Sequence, residues 1–407
     1  MLWNSKTISM ELLFQLNDQL LGLTSTDFVR SIMDDIPWNE RLVSIRGSRG
    51  VGKTTLLLQY QKLHYGINNR KALYVSLEGA YFTRNSLVDF ARQFYLQGGE
   101  RLFLDEVHNY PNWSREIKEI YDFYPMLKIV FTGSSLLQIL NVDADLSRRC
   151  LNYTMQGLSF REYLKFYHDI DVPRYSLQEI LSDNASICSA IFRQFRPMEF
   201  FNDYLTQGYY PFRKESPERY PMKVENLVDV ILNIELPKLC GVDISKVRNL
   251  KALLVVMASN VPMLVDVSKL STMIGLSRMS TLAYLQYLHR AALIRLLYSD
   301  DLSVKKLQKP DKILLDNSNL LPVLSLEKPN LGTMRETFFC NQLGYKHQIE
   351  YTRQGDFLID HKLTFEIGGK SKDGKQVAQT ENSYIAADDM EFPVGNKLPL
   401  WLFGLMY

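Results

Sequence analysis

The chain has 407 residues, enough for two or three domains that each bury a core, and its composition is that of an ordinary globular protein. A formal charge of +2 gives no global electrostatic case for binding nucleic acid or an anionic membrane. Cys150, Cys188, Cys240 and Cys340 lie far apart with no C-x-x-C pair, which argues against a disulfide framework and against structural zinc. No signal layout opens the chain, and the longest uncharged apolar window, 252–265, is too short to span a bilayer. The expectation is a soluble, cytoplasmic protein with no membrane partner.

Residues 1 to about 40 read as a helical lead-in, with Leu12, Leu13, Leu16, Leu20 and Leu21 at spacings near three and four. A short β-rich run at 42–46 then enters Gly47-Ser48-Arg49-Gly50-Val51-Gly52-Lys53-Thr54-Thr55, and a helix follows from Leu56. This is G-x-x-x-x-G-K-[ST] in the strand–loop–helix setting that the phosphate-binding P-loop requires. Its glycines let successive backbone N–H groups wrap an oxyanion at the positive end of a helix. Lys53 would reach the β- and γ-phosphates, and the Thr54 hydroxyl would ligate Mg²⁺.

Strands are predicted next at 72–77, 101–106, 127–132 and 150–154, with helices at 87–95, at 113–124 and from 136. Such alternation implies a parallel sheet with right-handed crossovers and ligands at the carboxyl ends of the strands. The third strand ends in Asp105-Glu106 and resembles a Walker B motif. Asp105 is placed to hold the Mg²⁺ shell, and Glu106 to polarise an attacking water. The fourth ends in Thr132-Gly133-Ser134-Ser135, where Ser134 or Ser135 could contact the γ-phosphate or simply cap a helix. The absence of N-K-x-D argues against a guanine-specific GTPase and makes ATP the expected nucleotide.

Together with Leu158-Ser159-Phe160-Arg161-Glu162-Tyr163-Leu164, these motifs resemble a family of bacterial and archaeal AAA-type ATPases. The likeness runs from about residue 41 to the end and is strongest through 165. It implies a C-terminal domain that resembles a restriction-endonuclease fold. It also implies a Gly-Arg pair shortly before the Leu-Ser-Phe block, whose glycine is missing in this sequence. Here that position reads Arg148-Arg149, so Arg149 is the candidate sensor or trans-acting arginine, and acting in trans would require a homo-oligomer.

From 158 to 246 helical, aromatic-rich sequence suggests a lid. Residues 247–325 suggest a winged helix, with helices at 268–274 and 278–290 around Gly275-Leu276-Ser277. This stretch carries ten Lys/Arg against five Asp/Glu, with Lys305, Lys306, Lys309 and Lys312 in the expected wing. DNA contact and a purely structural role fit it equally, because Arg278, Gln286 and His289 are the only obvious base-reading residues of the second helix. In 326–407, Glu336, Asp356 and Glu366 resemble a metal-dependent nuclease core. The expected Glu-x-Lys is broken into Glu-x-Gly-Gly-Lys, which on a regular strand puts Lys370 about 13 Å from Glu366. The net charge of this segment is also negative. An inactive nuclease-like domain ending in a buried apolar strand is the expectation.

The fold class expected is therefore α/β. A P-loop NTPase sheet (1–157) is followed by a helical lid (158–246), a winged helix (247–325) and a small nuclease-like α/β domain (326–407). The function expected is Mg²⁺-dependent ATP hydrolysis as a conformational switch. The alternatives are a nucleotide-responsive DNA-binding module and an ATPase-coupled nuclease.

Overall fold

A computed structural model describes residues 9–136, 146, 148–260, 263–264, 266–299, 309–325, 329–372 and 380–407. Two compact units result, Met1–Gln156 and Gly157–Tyr407.

In the first unit the apolar runs become strands β1 (Leu42–Gly47), β2 (Ala72–Ser76), β3 (Arg101–Asp105), β4 (Lys128–Ser134) and β5 (Leu151–Thr154). They form one sheet in the order β2-β3-β4-β1-β5, and every pair is parallel. Every residue of β1 and β3 is buried, as expected for strands covered by helices on both faces. Leu73, Val75, Leu102, Leu104, Ile129 and Phe131 make the centre of the core. Helices Lys53–His64, Leu87–Leu96 and Trp113–Phe123 connect the strands. The second of these starts where the Ser86 hydroxyl accepts from the Asp89 N–H.

The lead-in helix is Met10–Leu23, but its buried face differs from the expected leucine stripe. Leu13 and Leu21 face inward with Phe14 and Asn17, whereas Leu12, Leu16 and Leu20 are exposed. Asn17 explains the rotation. Its side-chain oxygen accepts from the Tyr74 N–H at 3.0 Å, so it satisfies a backbone donor on β2, an edge strand of the sheet.

The second unit opens on helices that the sequence caps itself. Ser159 with Glu162 and Ser176 with Glu179 each form a reciprocal capping box, starting Phe160–His168 and Leu177–Ser182. Farther on, Val267–Ile274 ends at Gly275 in the left-handed region, and Ser277 caps Arg278–Arg290. Strands β6 (Met263–Leu264), β7 (Ile294–Leu297) and β8 (Lys312–Leu315) pair antiparallel in the order β6-β8-β7. Helix Leu331–Leu343 then precedes a mixed sheet of β9 (Ile349–Glu350), β10 (Phe357–Ile359), β11 (Leu363–Gly368), β12 (Ser383–Ala387) and β13 (Lys397–Pro399). Its order is β13-β12-β11-β10-β9. The expected final strand stops at Pro399, which has no N–H for the ladder. Leu400–Leu405 instead forms a buried 3₁₀ turn.

Asp203 is the polar centre of the helical segment. Arg213 donates to both its oxygens at 2.5 and 3.1 Å, Gln207 donates at 2.7 Å, and the Tyr163 hydroxyl also donates. Burial pushes this carboxyl up, but the bonds from Arg213, Tyr163 and Gln207 outweigh it and hold it below its ordinary value of 3.8. A depressed carboxylate contributes stability above its unfolded pKa and loses it as pH falls through the folded one. Melting temperature should therefore drop below about pH 4, and Arg213→Ala should flatten that dependence.

No helix among the described residues is long and apolar enough to cross a membrane. All four cysteines are free, and burial pushes Cys188 up to about 12 and Cys240 and Cys340 up to about 11. These three thiols stay protonated at neutral pH and are poor nucleophiles.

Candidate functional site

The P-loop bends because two of its residues adopt conformations that favour glycine: φ is 77° at Gly50 and 100° at Gly52. Gly47 is held to glycine by space. A Cβ there would lie 2.3 Å from the Met155 carbonyl oxygen and 3.5 Å from Val51 Cγ2. Gly47→Ala should cost about 1–3 kcal/mol in denaturant unfolding, because backbone must move to admit the methyl group.

Lys53 begins the helix after the loop and is buried. Its Nζ donates to the carbonyls of Gly47 at 2.9 Å and Ser48 at 3.0 Å, folding the ammonium over the loop. Thr54 reaches across to β3, and its Oγ1 donates to Asp105 Oδ2 at 2.6 Å. The two proposed Mg²⁺-binding side chains are thus adjacent, although 51 residues apart in sequence. Among the described residues no group of three or more His, Cys, Asp or Glu is placed to hold a metal by itself.

Asp105 carries two further bonds that the sequence reading did not anticipate. The Tyr74 hydroxyl donates to Oδ2 at 2.7 Å, and the Thr132 hydroxyl donates to Oδ1. Thr132 Oγ1 also accepts the Glu106 N–H at 3.2 Å, which ties the end of β3 to β4. Burial and the negative charge of Asp105 hold the Tyr74 phenol far above its ordinary pKa, so it stays a donor at every working pH. Glu106 itself sits in the left-handed region at φ 53°, a conformation that costs a non-glycine residue energy and is concentrated at functional sites.

Ser134 ends β4 opposite Gly47 in the sheet register. It is buried, and its hydroxyl accepts weakly from the Leu136 N–H at 3.4 Å, whereas Ser135 is half-buried. His108 follows Glu106 in the turn Val107–Asn109 and faces both Glu106 and Ser134. Arg30, from the lead-in, braces the loop from behind by donating to Val51 O and Gln156 O, both at 2.8 Å. Lys53, Thr54, Asp105, Glu106 and Ser134 therefore gather at one end of the sheet. Arg149 is seated elsewhere, on Asp122, with its Nε and a terminal nitrogen at 3.1 and 3.3 Å.

Residues 39–164 match the model of the AAA domain family. The matched stretch takes in the P-loop, Asp105-Glu106, Ser134 and Arg149, and the match supports nucleotide binding and hydrolysis in general. Over a longer stretch the chain is 24% identical to the uncharacterized protein MJ1637 of Methanocaldococcus jannaschii, covering 87% of this chain and 81% of that protein. Among solved structures, AMPPCP-bound DnaA from Aquifex aeolicus matches with 14% identity, 70% of this chain, 92% of that chain and a TM-score of 0.25. C. elegans PCH-2 matches with 14% identity, 67% of each chain and a TM-score of 0.24. Scores this low do not establish a shared overall fold.

In the second unit, the residues singled out for nuclease chemistry are neutralised from within. Lys312, expected in a solvated wing, is buried in β8 with its Nζ 2.5 Å from Glu336 Oε2 and 3.6 Å from Asp356 Oδ1. Asp356 Oδ2 accepts from the Ile367 N–H at 2.7 Å. The lysine at Glu366 is Lys372, at 2.9 Å, and not Lys370. β11 ends at Gly368 and the chain turns, so the Lys372 stem packs where a Gly368 side chain would be, 2.9 Å from its ideal Cβ. Of the base-reading candidates, Gln286 donates to the Tyr298 hydroxyl at 2.8 Å and His289 Nδ1 lies 3.1 Å from Ile294 O, while Arg278 is exposed. Lys309 is half-buried, and Lys305 and Lys306 lie outside the described residues.

Proposed function

We propose that the protein is a Mg²⁺-dependent ATPase that uses ATP binding and hydrolysis as a conformational switch. The observation that carries this reading is the Thr54–Asp105 bond at 2.6 Å, which joins the P-loop to the end of β3 beside Glu106. The P-loop from Gly47 to Thr55 would hold the phosphates through its backbone N–H groups. Lys53 would exchange the Gly47 and Ser48 carbonyls for phosphate oxygens and offset the charge that develops there. Thr54 and Asp105 would hold Mg²⁺, which supplies further charge neutralisation when bound. Glu106 would orient a water for in-line attack on the γ-phosphorus and take its proton as the bond to the bridging oxygen breaks. The products are ADP and phosphate.

Ser134 is proposed as the group that senses the γ-phosphate, since it ends the strand between β1 and β3. Arg149 is proposed to act on a neighbouring subunit's nucleotide, since within this chain it is seated on Asp122. The helical segment 158–246 is proposed as the lid and 247–325 as a winged helix serving packing more than DNA. Two of its three base-reading candidates are engaged within the protein. A nuclease role for 326–407 is disfavoured by Lys312 and Lys372, which already offset Glu336, Asp356 and Glu366.

Binding of a fluorescent ATP analogue, followed by anisotropy on the full chain, tests the site. The wild type should bind and Lys53→Ala should bind at least about tenfold more weakly. Equal affinities would remove the P-loop from the account.

A further inference from the structure

We infer that His108 is a positioning residue: it ties the Glu106 carboxylate to the backbone at the end of β4 and sets where that carboxylate points. This rests on the ATPase reading above and goes beyond it. The His108 side chain is almost fully buried in the turn after β3. Its Nδ1 accepts the Ser134 N–H at 3.4 Å, and its Nε2 lies 3.4 Å from Glu106 Oε2. A backbone N–H can only donate, so Nδ1 is the unprotonated nitrogen. The ring proton then belongs to Nε2, which donates to the carboxylate. A neutral imidazole in this one tautomer satisfies both neighbours.

The same strand also holds the backbone of Glu106, through the N–H bond to Thr132 Oγ1 at 3.2 Å. Both the main chain and the side chain of the proposed base are therefore referenced to β4, within three residues of each other. Both imidazole contacts are long for hydrogen bonds and leave room to shorten. A shift of Ser134 toward the γ-phosphate would pull on Nδ1 and turn the ring, moving the Glu106 carboxylate with it. His108 thereby couples the proposed sensor to the proposed base.

The test compares wild type, His108→Gln and His108→Phe in steady-state ATP turnover, using the full chain with Mg²⁺. Phenylalanine keeps the bulk of the ring and loses both polar contacts. His108→Phe should lower kcat by about 10- to 100-fold with little change in KM, as expected when a reacting group is displaced by a fraction of an ångström. The glutamine amide can still donate to Glu106, so His108→Gln should recover most of the loss. Wild-type kcat in His108→Phe, or equal losses in both variants, would overturn the inference. A readout that does not depend on turnover is the ¹⁵N chemical shifts of the His108 ring in the nucleotide-free protein. An Nε2–H tautomer supports the tether, and an Nδ1–H tautomer overturns it. If the wild type shows no turnover at all, the ATPase reading fails while the tautomer still decides the tether.

Discussion

Glu106→Gln is expected to lower ATP turnover by about 100-fold or more while ATP still binds. Glutamine fills the same space but cannot take a proton from the attacking water. The groups proposed to hold the nucleotide are elsewhere: Lys53 lies over the loop carbonyls, and Thr54 meets Asp105 at 2.6 Å. The backbone at residue 106 is fixed by the N–H bond to Thr132, which the substitution leaves in place. Loss of binding along with turnover would mean that Glu106 shapes the pocket. Unchanged turnover would remove it as the base. Phosphate release measured beside analogue binding separates these outcomes.

Lys312→Met is expected to destabilise the second unit by about 3–5 kcal/mol in denaturant unfolding. The ammonium is 2.5 Å from Glu336 and 3.6 Å from Asp356, lies over the Phe357 ring at 4.7 Å, and is buried. Methionine packs in its place but removes the ion-pair partner of both carboxylates, leaving Lys372 as the positive charge that still faces them. Burial already pushes the Glu336 carboxyl up in the intact protein; Lys312 opposes that shift and Asp356 adds to it. A carboxyl raised in the folded state binds its proton more tightly there, so its stability contribution is lost as pH rises through the folded pKa. With Lys312 removed this trend should steepen, making the deficit smaller at about pH 5 than at about pH 8. Adding Glu336→Gln should recover part of the loss. A double-mutant cycle that shows no coupling would contradict the pairing.

The three strand ends proposed to carry chemistry were legible in the sequence because each is a short apolar run that stops abruptly at polar residues. β1, β3 and β4 appear where that pattern puts them, and parallel pairing brings Gly47 opposite Ser134 and Asp105 opposite Ser76. Helix starts were legible where Ser precedes an acid by three residues, as at Ser159-Glu162. The long-range partners were not. Tyr74 reads as one more apolar strand residue, yet its hydroxyl finds Asp105, 31 positions on. No motif marks Arg30, yet it reaches Gln156, 126 positions on. Lys312 reads as one of a basic run and is the buried partner of two carboxylates. In each case the deciding contact is set by sheet order or packing, which hydrophobic periodicity does not encode. The placement of Asn17 on the inner face of the first helix has the same origin.

The P-loop and Asp105-Glu106 are proposed to form one ATP-hydrolysing site. Phosphate release by the purified full chain with ATP and Mg²⁺, set beside Lys53→Ala, tests it most directly. The prediction is steady release by the wild type that falls to background in the variant. Equal release by both proteins, or none by the wild type while ATP binds, would contradict it.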